Sequence, residues 1–222
     1  MKDIIIVTGG SNGLGKAIVD YSLNNNLIVC NLDKDKLVID NRNYKEFVGD
    51  ISDENFVKNS INEISQLGNI KYLINNAGEP SFKMPTEYCK DDIEICFKGL
   101  QGMILCSTNV LKVKNEEDIK IVNIMSSAAL RGNKQESVYC ATKWGERGYT
   151  ESLKTAYKGT TVKIIGVYPG GINTNFYANS RDYVSVEKQN TFMNPNEVAK
   201  IICDNIFSDL NLNVVDIIIE RN

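Results

Sequence analysis

No histidine occurs among the 222 residues, and that absence excludes more chemistry than any other feature of the composition. Imidazole is the usual acid–base group near neutral pH. Histidine-based triads and His-containing zinc sites are therefore ruled out, and any proton transfer must use a carboxylate, a thiol, an amine or an activated phenol. The six cysteines, Cys30, Cys89, Cys96, Cys106, Cys140 and Cys203, form no C-x-x-C pair, so the usual thiolate zinc spacing is missing too and no metal is expected. No apolar run approaches the ~20 residues of a membrane span. The apolar stretch of MKDIIIVTGG is too short for a signal peptide, and glycines follow it at once. The cysteines then read as reduced thiols of a cytoplasmic protein. A large charge of one sign is also lacking. The net charge of −3 and pI near 5.2 give no reason to expect nucleic acid or an anionic membrane as partner.

What is present is a regular alternation. Short apolar runs at Ile4–Thr8, Leu27–Leu32, Tyr44–Val48, Tyr72–Asn75, Lys120–Met125, Val162–Tyr168 and Val214–Ile219 are separated by amphipathic stretches. Uninterrupted β-branched runs such as IIIV and IVNIM suit strands covered on both faces, the mark of a parallel sheet. Helices are predicted over Gly15–Asn24, Asp53–Gln66, Asp91–Lys112, Val138–Lys158 and Asn196–Ser208. Asn194 is the expected cap of the last one, with Pro195 at its first position and Glu197 in its first turn. Strands alternating with helices imply βαβ units and an α/β, Rossmann-type doubly wound sheet of seven mostly parallel strands, with helices on both faces. The length fits one domain spanning 1–222. Only residues 173–194 break the rhythm. They are polar and irregular, and the expectation is a lid over a site.

Directly after the first run stands IIIVTGGSNGLGKAI. Gly9, Gly13 and Gly15 lie where a strand turns into a helix, so the backbone can approach a pyrophosphate at the helix N-terminus. The spacing is T-G-x-x-x-G-x-G, led by Thr8, with Ser11, Asn12 and Leu14 filling the turn. Asp33 stands 18 residues beyond Gly15, close to the ~20 at which an acid receives adenosine ribose hydroxyls. A carboxylate there repels a 2′-phosphate, which leans the cofactor toward NAD rather than NADP. Lys34, the next residue, is the one feature that favours NADP.

A second constellation is SVYCATKWG, where Tyr139 and Lys143 stand four apart. On a helix the two share a face, and an ammonium beside a phenol favours the phenolate and lowers its pKa. With these residues in view, the chain resembles the short-chain dehydrogenase/reductase family over nearly its whole length. The glycine turn is Thr8–Gly15. Asp50, followed by Ile51 in FVGDISD, matches the family's adenine-contacting acid. Asn75, Asn76, Ala77 and Gly78 form NNAG at the end of the fourth strand. Ser126 precedes Tyr139 by 13 residues, the separation of the family's catalytic serine; Ser127 beside it is the competing choice. PGGINT supplies Pro169, Gly170, Ile172 and Thr174 at the nicotinamide end.

The resemblance implies an NAD(P)-dependent oxidoreductase that interconverts a small-molecule carbonyl and a secondary alcohol. Tyr139 would be general acid/base, Ser126 would bind the reacting oxygen, and Lys143 would assist the phenol and hold the nicotinamide ribose. A homodimer or homotetramer is also implied, with Gly145 and Gly148 allowing close helix approach. The sequence ends on VVDIIIERN, without the tail that many relatives add to a further subunit contact, so the dimer is expected ahead of the tetramer. One position departs from the pattern: Gly99 stands where most relatives carry asparagine in the helix after the fourth strand. Glycine retains the main-chain carbonyl, so the expectation is that the family's proton relay survives. The alternative is a non-catalytic NAD(P)-binding regulatory protein. An epimerase or dehydratase would need a longer C-terminal substrate region. Leu130 to Val138, Gly171 and the 173–194 segment are expected to line the substrate pocket. Phe176, Tyr177, Tyr183 and Phe192 suit a ring-bearing substrate, and Arg131 or Arg181 could attract an anion.

Overall fold

The computed structural model describes residues 2–114, 118–178, 183–208 and 213–221. Among these residues seven strands are present: β1 Asp3–Thr8, β2 Ile28–Asp33, β3 Tyr44–Val48, β4 Asn69–Asn75, β5 Lys120–Ile124, β6 Lys163–Pro169 and β7 Asp216–Ile219. They form one sheet in the order β3-β2-β1-β4-β5-β6-β7, and every neighbouring pair is parallel. The expected fold is the observed one, with "mostly parallel" sharpened to wholly parallel. The helices are α1 Gly13–Asn24, α2 Glu54–Ser65, α3 Lys90–Lys114, α4 Ser137–Ala156, α5 Val186–Gln189 and α6 Pro195–Ile206.

Strand periodicity divides the core in two. Successive side chains of a strand point to opposite faces, and on β1 this sends Ile5 and Val7 to one layer and Ile4 and Ile6 to the other. The first layer packs Leu14 and Ile18 of α1 with Val198, Ile202 and Ile206 of α6. The second packs Val57, Ile61 and Ile64 of α2 with Cys106 and Val110 of α3. All four β1 isoleucine and valine side chains, Ile4 to Val7, are completely buried. This is why IIIV carries no polar alternation.

Local chemistry sets most boundaries. The Asp53 carboxylate accepts from the N–H groups of Asn55 and Phe56 and caps α2. Asn194 accepts from Asn196 N–H at 2.8 Å with Pro195 next in line, as predicted for α6. Strand β4 starts at Asn69 rather than Tyr72, because Asn69 and Ile70 pair with Asp3 and Ile4 before a register irregularity. Residues 173–194 are less irregular than expected. A short 3-10 turn covers Asn175–Tyr177 and α5 covers Val186–Gln189. The two ends are tied by an Ile172–Met193 bridge and by Gln189, whose amide donates to Asn173 Oδ1 and Thr174 O. Arg181 lies outside the described residues. Among the described residues no helix is long and apolar enough to cross a membrane, and no metal-ligating cluster is found.

Candidate active site

A cleft of about 480 Å³ opens at the carboxyl ends of the strands. It lies where β1 has β2 on one side and β4 on the other, the point at which the strand order reverses and open α/β sheets bind ligands. Its floor is the glycine turn. Gly9 has φ +68° and Gly13 has φ +56°, left-handed conformations that strain residues with a Cβ. Close approach adds a second requirement. A Cβ on Gly15 would lie 2.1 Å from Gly9 O, and one on Gly9 would lie 2.8 Å from Ala77 Cα. Asn12 precedes α1 without a side-chain cap and no acid occupies the first turn. The helix start therefore presents free N–H groups and its positive dipole end to the cleft, which suits a phosphate.

Gly9, Asn12, Gly13 and Leu14 line the cleft, whereas Thr8, Ser11 and Gly15 do not and instead hold its wall. Thr8 Oγ1 accepts from Asn76 N–H at 3.0 Å and Ala77 N–H at 3.1 Å. The Asn76 amide in turn donates to Thr8 O and Gly9 O. NNAG thereby locks the end of β4 to the glycine turn. Ser11 N–H donates to Asp33 Oδ2 at 2.8 Å, which turns the carboxylate toward the cleft mouth.

At that mouth the predicted residues meet partners that no local motif announces. Lys34 pairs with Glu79 at 2.5 Å, so its charge is already engaged. Asp50 pairs with Lys98 of α3 at 2.8 Å and accepts from Ser52 N–H and hydroxyl. Against the upward push of burial, Lys98 and these hydrogen bonds hold the Asp50 carboxyl down at about 2. Asp33, Asp50 and Ile51 all line the cleft.

Further in, three side chains meet from separate elements. Ser126 follows β5, while Tyr139 and Lys143 occupy the first turns of α4. Ser126, Tyr139 and Lys143 line the same cleft, and Ser126 Oγ accepts from Ala128 N–H at 3.1 Å. Ser126 faces the main cleft, whereas Ser127 faces only a smaller neighbouring one. The Lys143 ammonium lies 5.6 Å from the Tyr139 ring centre. The phenol departs from the sequence expectation. Burial, the largest influence, pushes its pKa above the ordinary tyrosine value and the Glu146 carboxylate adds to that, while the Ser126 hydroxyl works the other way. The lowering expected from Lys143 is thus outweighed by burial, and Lys143 itself is ion-paired to Glu146 at 2.8 Å.

The far end is aromatic. Phe82 packs edge-on to Tyr139 at 5.4 Å and stacks on Tyr177 at 5.7 Å, with Phe176 and Tyr183 completing the cluster. Tyr183 hydroxyl donates to Glu136. Arg131 and Phe192 line the smaller cleft beside them, while Pro169, Gly170, Ile172 and Thr174 line the main one.

A family model described as short chain dehydrogenase matches residues 3–184. The chain belongs to this family. The short-chain dehydrogenase is 29% identical over 188 residues to an uncharacterized oxidoreductase of Thermotoga maritima, covering 78% of this chain and 72% of the relative. It is 26% identical over 239 residues to benzil reductase ((S)-benzoin forming) of Bacillus cereus, covering 89% and 91%. Among solved structures, ElxO with NADP bound superposes with a TM-score of 0.86 at 26% identity, covering 98% of both chains. The protein is thus an NAD(P)-dependent oxidoreductase of the short-chain dehydrogenase type, and its cleft fits that cofactor. The uncapped start of α1 and the contacts that forbid a Cβ at Gly9 and Gly15 are the features a pyrophosphate requires.

Glu79, Lys98 and Phe82 were not anticipated from the sequence. Their partners lie 45, 48 and 57 residues away, and no spacing rule links them. Glu136 falls in the Leu130–Val138 stretch expected at the pocket, but its Tyr183 partner stands 47 residues away. Glu146 is different, since it stands three residues after Lys143, a helical pair spacing visible in the sequence. Its burial was not.

Proposed function

We propose that this short-chain dehydrogenase interconverts a ring-bearing ketone and its secondary alcohol, with Tyr139, Ser126 and Lys143 as the catalytic residues. The observation that carries the reading is their convergence at one end of a cleft whose other end is the glycine turn. NAD(P) held along the cleft would supply or accept the hydride at the substrate carbon. Ser126 Oγ hydrogen-bonds the carbonyl oxygen and stabilises its developing charge. Tyr139 Oη passes its proton to that oxygen during reduction and takes one from the alcohol during oxidation. Lys143 holds the nicotinamide ribose. Phe82, Tyr177 and Tyr183 give the substrate end the apolar, aromatic lining a ring needs. The benzil reductase relative acts on a diaryl diketone, which supports the same class here. An intact trio of Ser126, Tyr139 and Lys143 favours catalysis over a non-catalytic sensor.

The cofactor leans to NAD. The Asp33 carboxylate would repel a 2′-phosphate, and Lys34 is engaged by Glu79. Asn12, Gly13, Leu14, Asp50, Ile51, Asn76, Ala77, Gly78, Pro169, Gly170, Ile172 and Thr174 form its contact surface, and Thr8, Ser11 and Gly15 support it. Residues 173–194 serve as substrate lid. The protein acts in the cytoplasm as one domain and as a homodimer, for which Ile93, Phe97 and Ile104 of α3 and Trp144 of α4 offer exposed apolar surface. The test is reduction of a panel of aryl ketones and diketones, benzil included, with NADH and NADPH in parallel. Turnover that vanishes in Tyr139→Phe while coenzyme still binds supports the reading; no turnover across the panel despite binding refutes it.

A further inference from the structure

Glu146 is a carboxylate left 1% exposed, beside a lysine left 6% exposed. Both its oxygens accept from Lys143 Nζ, at 3.0 and 2.8 Å. A buried carboxylate without such a partner would be costly, and so would a buried lone ammonium. Room for the pair comes from α3. A Cβ on Gly99 would lie 3.6 Å from Glu146 Oε1 and 3.3 Å from both Ala77 O and Gly78 Cα. A side chain at position 99 would project into this space, and the missing one leaves it to the carboxylate. Thr150 Oγ1 donates to Glu146 O at 2.7 Å and fixes the turn that carries it.

The charge consequence follows from proximity. Around Tyr139 stand Lys143, Glu146 and Cys140 of α4, Glu136 just before that helix, Cys96 of α3, and Tyr177 from the turn after β6. Glu136 is engaged by Tyr183 and by the Asn133 amide. Lys143 is the cation of this set, and Glu146 cancels it within hydrogen-bond distance.

We propose that Glu146 is a positioning residue: it anchors Lys143 in the space left by Gly99 and, by cancelling the ammonium's charge beside Tyr139, keeps the phenol protonated and the site set for carbonyl reduction. The inference rests on Tyr139 as the proton donor, yet its first test needs no turnover. Tyr139 ionisation is read in the cofactor-free protein as tyrosinate absorbance against pH, each variant being subtracted from the same variant carrying Tyr139→Phe. Glu146→Gln keeps the size and one acceptor but removes the charge. The expected result is a midpoint lower by about one pH unit or more, a tenfold stronger acid, with an unchanged melting temperature. Lys143→Met with Glu146→Leu removes both charges together, and its midpoint should stay near that of the unmodified protein. An unmoved midpoint in Glu146→Gln overturns the proposal. If that variant does not fold, a large downward shift in the double variant overturns it instead. With benzil as substrate, Glu146→Gln should also bring the alkaline fall of the reduction rate to lower pH without a matching change in coenzyme KM. Failure of every ketone would remove the functional reading while the titration still decided the role of Glu146.

Discussion

Replacing Gly9 by alanine puts a methyl group where the tip of β1 meets the tip of β4. The new Cβ would lie 2.8 Å from Ala77 Cα, 3.0 Å from its Cβ and 3.2 Å from its N. Ala77 cannot swing away cheaply, because its N–H and that of Asn76 are held by Thr8 Oγ1. The backbone at position 9 also has φ +68°, which costs an L-residue roughly 1–2 kcal/mol. Overpacking of this kind adds about 1–3 kcal/mol. The sum is about 2–5 kcal/mol, and at roughly 2–4 °C per kcal/mol for a chain of this size the melting temperature should fall by about 4–20 °C. Coenzyme affinity should fall as well, since the turn moves away from the phosphate. Gly148→Ala is the control. Nothing lies within 4 Å of its added Cβ, and in the middle of α4 alanine is favoured over glycine by up to about 1 kcal/mol. Thermal melts and a fluorescence titration with NADH would be run on both variants. If Gly9→Ala melts with the unmodified protein and binds NADH equally well, the close-approach reasoning is wrong.

Other consequences can be measured on the same preparation. Asp33→Asn should remove the repulsion toward a 2′-phosphate and raise NADPH affinity relative to NADH by about tenfold, corresponding to ~1.4 kcal/mol; an unchanged ratio would show that Asp33 is not the discriminator. Ile61→Ala, which empties a fully buried position under α2, should destabilise by about 2–5 kcal/mol in denaturant unfolding without altering coenzyme selectivity. The Asp50 carboxyl is held at about 2 in the folded chain against an ordinary value of 3.8. Its contribution to stability is therefore complete above pH ~4 and lost as the pH falls toward 2. It is also small, because the group is half exposed and screened by solvent. Melting curves of the unmodified protein and Asp50→Asn should differ at pH 6 and converge on acidification. Phe82→Ala should raise KM for aryl ketones by about tenfold while leaving coenzyme binding intact, the lower end of the ~1.5–3 kcal/mol of a fully buried side chain, since Phe82 is only half-buried.

The order of elements and the ends of the cleft follow from the sequence alone because they depend on short-range rules. Strand interiors read as β-branched runs since both faces of β1 are covered. Helix starts read from Asp53, Asn194 and Pro195, whose side chains act on the next two or three residues. The glycine turn, NNAG and Ser126 fall at strand ends and the Tyr139–Lys143 pair on α4, as expected, because strands that all run parallel bring their carboxyl ends to the same edge of the sheet. The tertiary structure alone decided the charge state of that edge. Lys34 meets Glu79 and Lys98 meets Asp50 across separate crossovers. Phe82 reaches Tyr139 from a loop no spacing rule connects to it. Even Glu146, a visible helical neighbour of Lys143, changes meaning only when α3 packs against α4: the bare Gly99 leaves room for the carboxylate, and an ion pair that solvent would screen at the surface is instead buried beside Tyr139.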